Sequence, residues 1–553
     1  MADYRDTPDD IDGMPPGIPY IIGNELAERF SFYGMKAILT VFMTRHLLDA
    51  AGNPDPMTDE EAKTVYHLFT AGAYFFPMIG AIISDVMWGK YRTILLISLM
   101  YCLGHGSLAL MDLGPAIGAW GMRPFLYAGL VLIAVGAGGI KPCVSAHVGD
   151  QFGSSNKHLL TKIFNWFYFS INLGAAASTF LTPILLIKLG PWAAFGLPGV
   201  LMAIATFLFW VGRNNFIHVP PSGWAQFKEE TLSAAGLRAL KNLTPLFLIF
   251  VPLFWAIFDQ TGSAWVLQAE SMNRQFLGID WLESQVQVVN PVLILTLIPL
   301  FTYVVYPAVG RLIETTPLRK VGVGFILTAA AFGISGLIEE SIEQRQDAPA
   351  EGIWNELIES DSSPKTTQDL LKVAALGGVT LTEAQKNTGE DDISELWQSV
   401  KPQLKQPTKL RDVVRGAKAM GWQQTQIARY TDGMPSIGWQ FLAYLVLTSA
   451  EILVSIVCLE FAYTQSPPRM KSFIMGIFFL GISLGNIYVS GVNTIMDLTR
   501  DETGQTFLDG PTYYYAFAAA MLVAAVGYVV FATRYKGETF IHGETESLEV
   551  PEH

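Results

Sequence analysis

The chain has 553 residues, 51% of them hydrophobic and only 15% charged, against about 25% charged in a soluble domain. That excess, with 50 Gly, 34 Phe and 13 Trp, excludes a disordered chain, a collagen-like repeat and an ordinary soluble enzyme. The net charge of −13 argues against a general nucleic-acid binder, which needs clustered Lys and Arg against phosphate.

Residues 1–16 form an acidic, polar segment. It lacks the basic start and short apolar core of a secretory signal and reads as a cytoplasmic tail. A spanning helix needs ~20 mostly apolar residues. On that criterion spans are predicted at about 17–47, 63–86, 92–112, 124–148, 162–187 and 191–213. A second set follows at about 243–268, 286–313, 318–338, 436–464, 470–495 and 510–534. The expected fold is an all-α membrane protein with 12 transmembrane helices in two six-helix bundles. The first bundle is 17–213, and the second is split into 243–338 and 436–534. Between the bundles lies a cytoplasmic linker, 214–242, with the amphipathic run TLSAAGLRALKNL. A soluble helical insert occupies 339–435, and 535–553 is a second cytoplasmic tail.

Basic residues set the orientation. One series of loops holds Lys90, Arg92, Lys157, Lys228, Arg238, Lys241, Arg311, Arg319, Lys320, Arg469 and Lys471, and Arg534 and Lys536 follow the last span. These loops alternate with acidic ones such as Asp55, Asp59, Glu60 and Glu61. Both termini are therefore expected in the cytoplasm and the insert outside, in a plasma or bacterial inner membrane. Within the insert, DLLKVAALG (369–377) and DVVRGAKAMG (412–421) read as small helices. They are either a weak internal repeat or two coincidentally similar amphipathic segments. No metal site and no catalytic constellation is evident. Cys102, Cys143 and Cys458 lie in apolar segments and read as packed thiols, not a disulfide framework.

The first span carries Glu25, Glu28, Arg29 and Lys36. A charge at the bilayer centre costs roughly 2.5–3.5 kcal/mol on insertion scales, so such groups face a bundle interior or a wet cavity. Positions 25, 28, 29, 32, 33 and 36 form one helical stripe, which includes Tyr33. The stripe is either a structural ion-pair network or a substrate and ion pathway. Further polar residues stand in other spans: Tyr66, His67 and Tyr74; Lys141; Tyr168 and Asn172; Trp255 and Asp259; Asn290; and Glu451 with Ser455. Cations (Arg29, Lys36, Lys141) gather in the first half and anions (Asp259, Glu451) in the second. Walls of opposite sign suit a zwitterion, since Arg binds carboxylate bidentately and Glu accepts an ammonium. That asymmetry points to amino-acid or peptide substrates. His67 suits reversible protonation, whereas His105 and His147 read as packing residues.

The first-span sequence Glu25-Leu-Ala-Glu28-Arg29-Phe30-Ser-Phe32-Tyr33 resembles the signature of the proton-dependent oligopeptide transporter family of the major facilitator superfamily. The segments GAIISDVMWGKYR, GGIKPCVSAHVGDQF, FYFSINLGA and FWAIFDQTGSAWVLQA are similar to further signatures of that family. His67 in TVYHLF resembles the animal type, as does a large insert between spans nine and ten, although this insert is shorter and more helical than the animal one. The resemblance implies a major facilitator fold and a proton-coupled symporter of di- and tripeptides, not an enzyme. No cofactor is implied beyond protons as the coupling ion, and the functional unit is a monomer in a lipid bilayer. By the same resemblance, Arg29, Tyr33 and Lys141 hold the peptide carboxylate, and Asn172, Asn290 and Glu451 hold its amino terminus. Tyr66, Tyr74, Tyr168, Trp255 and Ser455 line the pocket, and Glu25, Glu28, His67 and Asp259 handle protons. Lys36 replaces the family's usual Arg and pairs with Asp259 as an outer gate. Phe32 removes one hydroxyl from the motif. Rival readings are a transporter-like peptide receptor, a carrier of nitrate or another small anion, and an intramembrane enzyme. Glu451 weighs against nitrate, because an ammonium partner is wasted on an anion.

Overall fold

The computed structural model describes residues 4–8, 10–359, 364, 366–379, 381–382, 385, 392–466, 471–501 and 506–535. Arg469, Lys536, His542 and His553 lie outside them. Six helices come first: α1 (Ile18–Arg45), α2 (Asp59–Ile83), α3 (Lys90–Ala109), α4 (Met122–Asp150), α5 (Leu160–Leu189) and α6 (Pro191–Val211). Three follow: α7 (Ala234–Glu270), α8 (Gln285–Gly310) and α9 (Pro317–Glu343). The insert contributes α10 (Asp347–Glu359), α11 (Thr367–Leu376), α12 (Ile393–Val400), α13 (Leu410–Ala419) and α14 (Gln424–Thr431). The chain closes with α15 (Gly438–Ala462), α16 (Lys471–Leu498) and α17 (Pro511–Ala532).

Eleven helices among the described residues are long and apolar enough to cross a membrane. The first, α1, is not among them. Its 28 residues suffice in length, but its charged stripe interrupts the apolar run. Helix starts follow local chemistry. Thr58 caps α2 by accepting from the Glu61 N–H at 3.1 Å, and Asp59, Glu60 and Glu61 fill the first turn against the helix dipole. Thr316 caps α9 with Pro317 at its first position. The linker run TLSAAGLRALKNL is not a separate element. Its Ala234–Pro245 helix, capped by Ser233, continues through a wider turn at 246–250 into α7. The seventh membrane helix thus begins earlier than its hydropathy suggests, because its first turns are amphipathic.

Two large hydrophobic cores form, beside a small third cluster of Ile294, Leu297 and Ile452. One draws its residues from Ile18 to Phe216, joined by Val266. The other runs from Ala239 to Tyr528. The insert belongs to the second: Ile353, Trp354, Leu370, Val413 and Trp422 are continuous with it. The segments 369–377 and 412–421 fall on α11 and α13, which pack together. A short hairpin, Gln275–Phe276 with Ile279–Asp280, lies between α7 and α8.

Helix α2 packs along α4 within the first core and along α16 across the two cores. Small residues allow the first contact. A Cβ on Gly80 would stand 2.5 Å from the Gly139 carbonyl oxygen, backbone that cannot yield. Gly106 faces open space. Gly80→Val is therefore expected to separate α2 from α4 and lower the thermal midpoint of the detergent-purified protein by several degrees, while Gly106→Ala leaves it unchanged. Equal midpoints for the two variants would contradict this packing.

Candidate functional site

The broken seventh helix builds the centre of the site. After Phe258, α7 tightens into a narrow turn at Asp259–Gly262 and resumes at Ala264. The break frees the Gly262 carbonyl, which accepts from the Thr40 hydroxyl of α1 at 2.8 Å. Glycine is required there, because a Cβ would stand 1.9 Å from the Tyr66 hydroxyl.

Around this break the two cores are joined by a hydrogen-bonded chain. Lys36 Nζ donates to Asp259 Oδ1 at 2.7 Å. Asp259 Oδ2 accepts from Asn486 Nδ2 at 2.8 Å. Asn486 Oδ1 meets His67 Nδ1 at 2.7 Å, and His67 Nε2 meets the Ser263 hydroxyl at 2.8 Å. The carboxylate fixes the order of donors. Asn486 spends its amide protons on Asp259 and the Ile482 carbonyl, so its oxygen must accept from His67, which places the neutral imidazole proton on Nδ1. Nε2 then accepts from Ser263. A second proton on Nε2 needs only rotation of that hydroxyl, so the site tolerates both charge states of His67.

Toward the other end of α1, Arg29 Nε reaches Glu25 Oε1 at 2.7 Å and Glu28 Oε2 at 3.3 Å. Lys141 Nζ sits over the Phe32 and Tyr74 rings, 3.9 and 4.3 Å from their centroids. It has no hydrogen-bond acceptor among the described residues. Phe32, which lost the motif's hydroxyl, supplies a ring face to a cation instead. In the second half, Asn290 Nδ2 donates to Glu451 Oε2 at 2.7 Å and to the Thr448 hydroxyl at 3.1 Å. Tyr33 lies on α1 between Arg29 and Lys36, its ring edge-on to Phe32. The Asn172 amide donates to the Tyr168 carbonyl of its own helix at 3.0 Å. Tyr74 packs toward Trp255. Tyr66 stacks edge-on against His67 and lies under Lys36. Ser455 occupies a widened turn just after Glu451. His105 and His147 are buried in the first core.

Sequence reasoning missed Asn486 and Ser263. Their signal was a polar side chain inside an apolar span, the same one that exposed Asn290. It also missed a belt of buried charge at the ends of α1, α2 and α7. Arg45 Nη2 meets Glu270 Oε1 at 2.5 Å, and Arg45 and Arg274 both pair with Glu283. From the insert, Arg411 and Arg415 reach Asp59 at 2.9 and 2.8 Å, Arg415 reaches Glu270 at 2.8 Å, and Lys418 reaches Glu283 at 3.5 Å. Further bonds between the cores gather at this end, including Thr58 with Asp497 and Arg500 with Glu60.

A polytopic helical protein whose two cores meet across paired, buried charges has the architecture of a secondary transporter. The chain belongs to the POT family, whose model matches residues 91–232, 225–357 and 414–508, and so is placed among transporters, not enzymes. It is 29% identical to peptide transporter family 1 of Drosophila melanogaster, over 94% of this chain and 88% of that protein. It is 29% identical to human solute carrier family 15 member 2, over 86% and 85%. Among solved structures it is similar to an auto-inhibited POT family peptide transporter, with TM-score 0.68, 28% identity and coverage of 96% and 99%.

The belt generates a pH prediction. Burial and the neighbouring Arg274 push the Lys418 ammonium down to about 7, with Arg45 adding to the effect and Glu283 and Glu270 opposing it. A free lysine titrates near ~10.4. Docking of α13 therefore releases a proton, so its stability rises with pH between those values, by up to about tenfold per unit, and is flat below. Hydrogen-exchange protection of α13, corrected for intrinsic rates, should climb from pH 7 to 9 and lose that climb in Lys418→Met. An unchanged slope in the variant would assign the effect elsewhere.

Proposed function

We propose that this chain is a proton-coupled symporter that imports di- and tripeptides by alternating access of two six-helix bundles. The reading takes α1 as a span, which makes twelve, with bundles at 17–213 and at 243–338 plus 436–534. The linker 214–242 and the tails 1–16 and 535–553 are cytoplasmic. The insert 339–435 faces outside a plasma or bacterial inner membrane. Protons are the coupling ion, no other cofactor is needed, and a monomer suffices.

The observation that carries this reading is a separation of charge between the halves: Arg29 and Lys141 stand in the first, and Glu451, oriented by Asn290, in the second. A peptide of two or three residues carries a carboxylate and an ammonium at its ends, and the two halves offer each its complement. Family membership and relatives described as peptide transporters add support.

The mechanism follows from the pairings. In this state the end with Lys36–Asp259 is shut, and Arg29 is engaged by Glu25 and Glu28. Protonating a carboxylate of α1 releases Arg29 for the peptide carboxylate. Protonating Asp259 removes the charge that holds Lys36, and a proton on His67 places a second cation near that carboxylate, so either loosens Lys36 from the chain Lys36–Asp259–Asn486–His67, which must part for outward opening. Lys36 makes a point contact without the planar fork of Arg, so one proton on Asp259 suffices to break it. Tyr66, Tyr74, Tyr168, Trp255 and Ser455 line the space for side chains, with Asn172 on the same helix as Tyr168. Coupling requires that peptide and proton favour the same state.

The test is Ala-Ala uptake into proteoliposomes under an imposed inward proton gradient, with a pH dye inside. Peptide-dependent acidification is expected, and nitrate should not produce it. Glu451→Ala removes a charged hydrogen-bond partner worth about 1.5–3 kcal/mol, so the half-saturating peptide concentration should rise at least about tenfold. No proton movement with verified insertion would overturn symport. His67→Gln is expected to retain peptide exchange and lose uphill accumulation, and full accumulation in that variant would remove His67 from the proton path.

A further inference from the structure

The buried belt raises a question that the transport site does not answer: why the insert places three cations against the ends of membrane helices. Arg411, Arg415 and Lys418 are spaced four and three apart, so they share one face of α13. Leu410, Val413, Val414 and Ala417 form its buried apolar face. The cations meet Asp59, Glu270 and Glu283. Asp59 opens α2 in the first core, whereas Glu270 ends α7 in the second. Arg415 holds both, at 2.8 Å each. Its side chain is only 10% exposed, that of Asp59 10%, and that of Glu270 fully buried. These are therefore not solvent-screened surface pairs, and separating one partner leaves a charge stranded in a dry interface.

Among the described residues, the insert's other ion pairs and hydrogen bonds outside itself run to the second half. Its apolar core is continuous with that of the second half. Lys409 pairs with Asp509 at 2.9 Å, Arg274 with Gln424, and Asn273 with Asp432 at 3.2 Å. All three partners outside the insert lie in the second half. The insert is thus mounted on the second half, and Arg411 and Arg415 reach across to Asp59 in the first.

We infer that the insert is an electrostatic latch, carried by the second half and hooked onto Asp59, which holds the outer end closed and must unhook for outward opening. The inference rests on the alternating-access reading for its direction. Opening that end draws the start of α2 away from the end of α7, and Arg415 cannot then keep both carboxylates. Disengaging from Asp59 leaves the insert's own fold and mount intact, which makes this the contact that yields.

The test measures the gap by electron–electron spin distance between labels at Ala51 and Ile279, exposed positions in outer loops of the two halves, in a background lacking the three cysteines. Asp59→Asn and Arg415→Gln should each raise the ratio of long-distance to short-distance populations by about fivefold or more, the lower range for coupling between sites. Arg123→Gln, whose partners Asp55 and Glu61 lie in one half, should leave the ratio unchanged. Wild-type distances in both Asp59→Asn and Arg415→Gln, with α10 and α11 still protected from hydrogen exchange, would overturn the latch. If Arg415→Gln unfolds the insert, Asp59→Asn decides alone, since it leaves every insert residue in place. Ala-Ala uptake by the unmutated protein is measured alongside. Absent uptake would count against the transport reading, while the distances would still judge the latch.

Discussion

A charge inside an apolar helical protein must be paired, hydrogen-bonded or wetted, and this structure is organised around that requirement. A soluble domain leaves most of its charges in water. Here Glu25, Lys36, Asp259, Glu270, Glu283 and Arg274 are all buried, and each has a charged partner. Several of those partners lie in the other half of the chain. The halves pack against each other along α2 and α16, and a seam of ion pairs crosses between apolar clusters that are nearly separate by sequence. Such a seam can be changed by a proton or by a competing ligand charge, whereas buried apolar contacts respond to neither. That property makes the paired seam suitable for coupling.

The backbone cooperates. Ordinary helical geometry through Asp259–Ser263 would bury the Gly262 carbonyl in its own helix. The narrow turn releases it to Thr40, and the same turn aims Asp259 at Lys36 and Ser263 at His67. Broken helices in membranes persist only where the freed groups find partners. The partners here come from α1 and α2, so the break can form fully only while the halves are in contact. Backbone satisfaction and ion pairing thus favour the same closed arrangement.

The sequence made the helices legible because length and hydropathy are local properties: every predicted span has a helix at its position, and eleven helices among the described residues are long and apolar enough to cross a membrane. Charges within apolar runs were legible for the same reason: Glu25, Glu28, Arg29, Lys36 and Asp259 stand out against their neighbours. The linker helix was misjudged because amphipathic first turns of a membrane helix look like a surface helix. Asn486 escaped notice although its span is apolar, since a single amide is a weak anomaly until His67, 419 positions away, is seen beside it. The belt was illegible for a different reason. Arg411 and Arg415 lie in a polar insert where charges are expected to be solvated, and nothing local marks the ones that pair 356 positions away.

That last difference bears on how an insert can matter to a transporter without touching its substrate. An insert joined only at its two ends would add bulk and little coupling. This one shares a hydrophobic core with the second half, so it is mounted on that half, and it presents a cation to a carboxylate at the start of a first-half helix. Asp59 also sits where the α2 dipole favours an anion, so the carboxylate is already stabilised as a charge before Arg415 arrives. The contact therefore does not create a charge on closing. It exchanges the water around two existing charges for each other, a trade whose net energy is small compared with either component. A near-balanced contact of this kind can bias the position of the halves without locking them, as a cycling transporter requires.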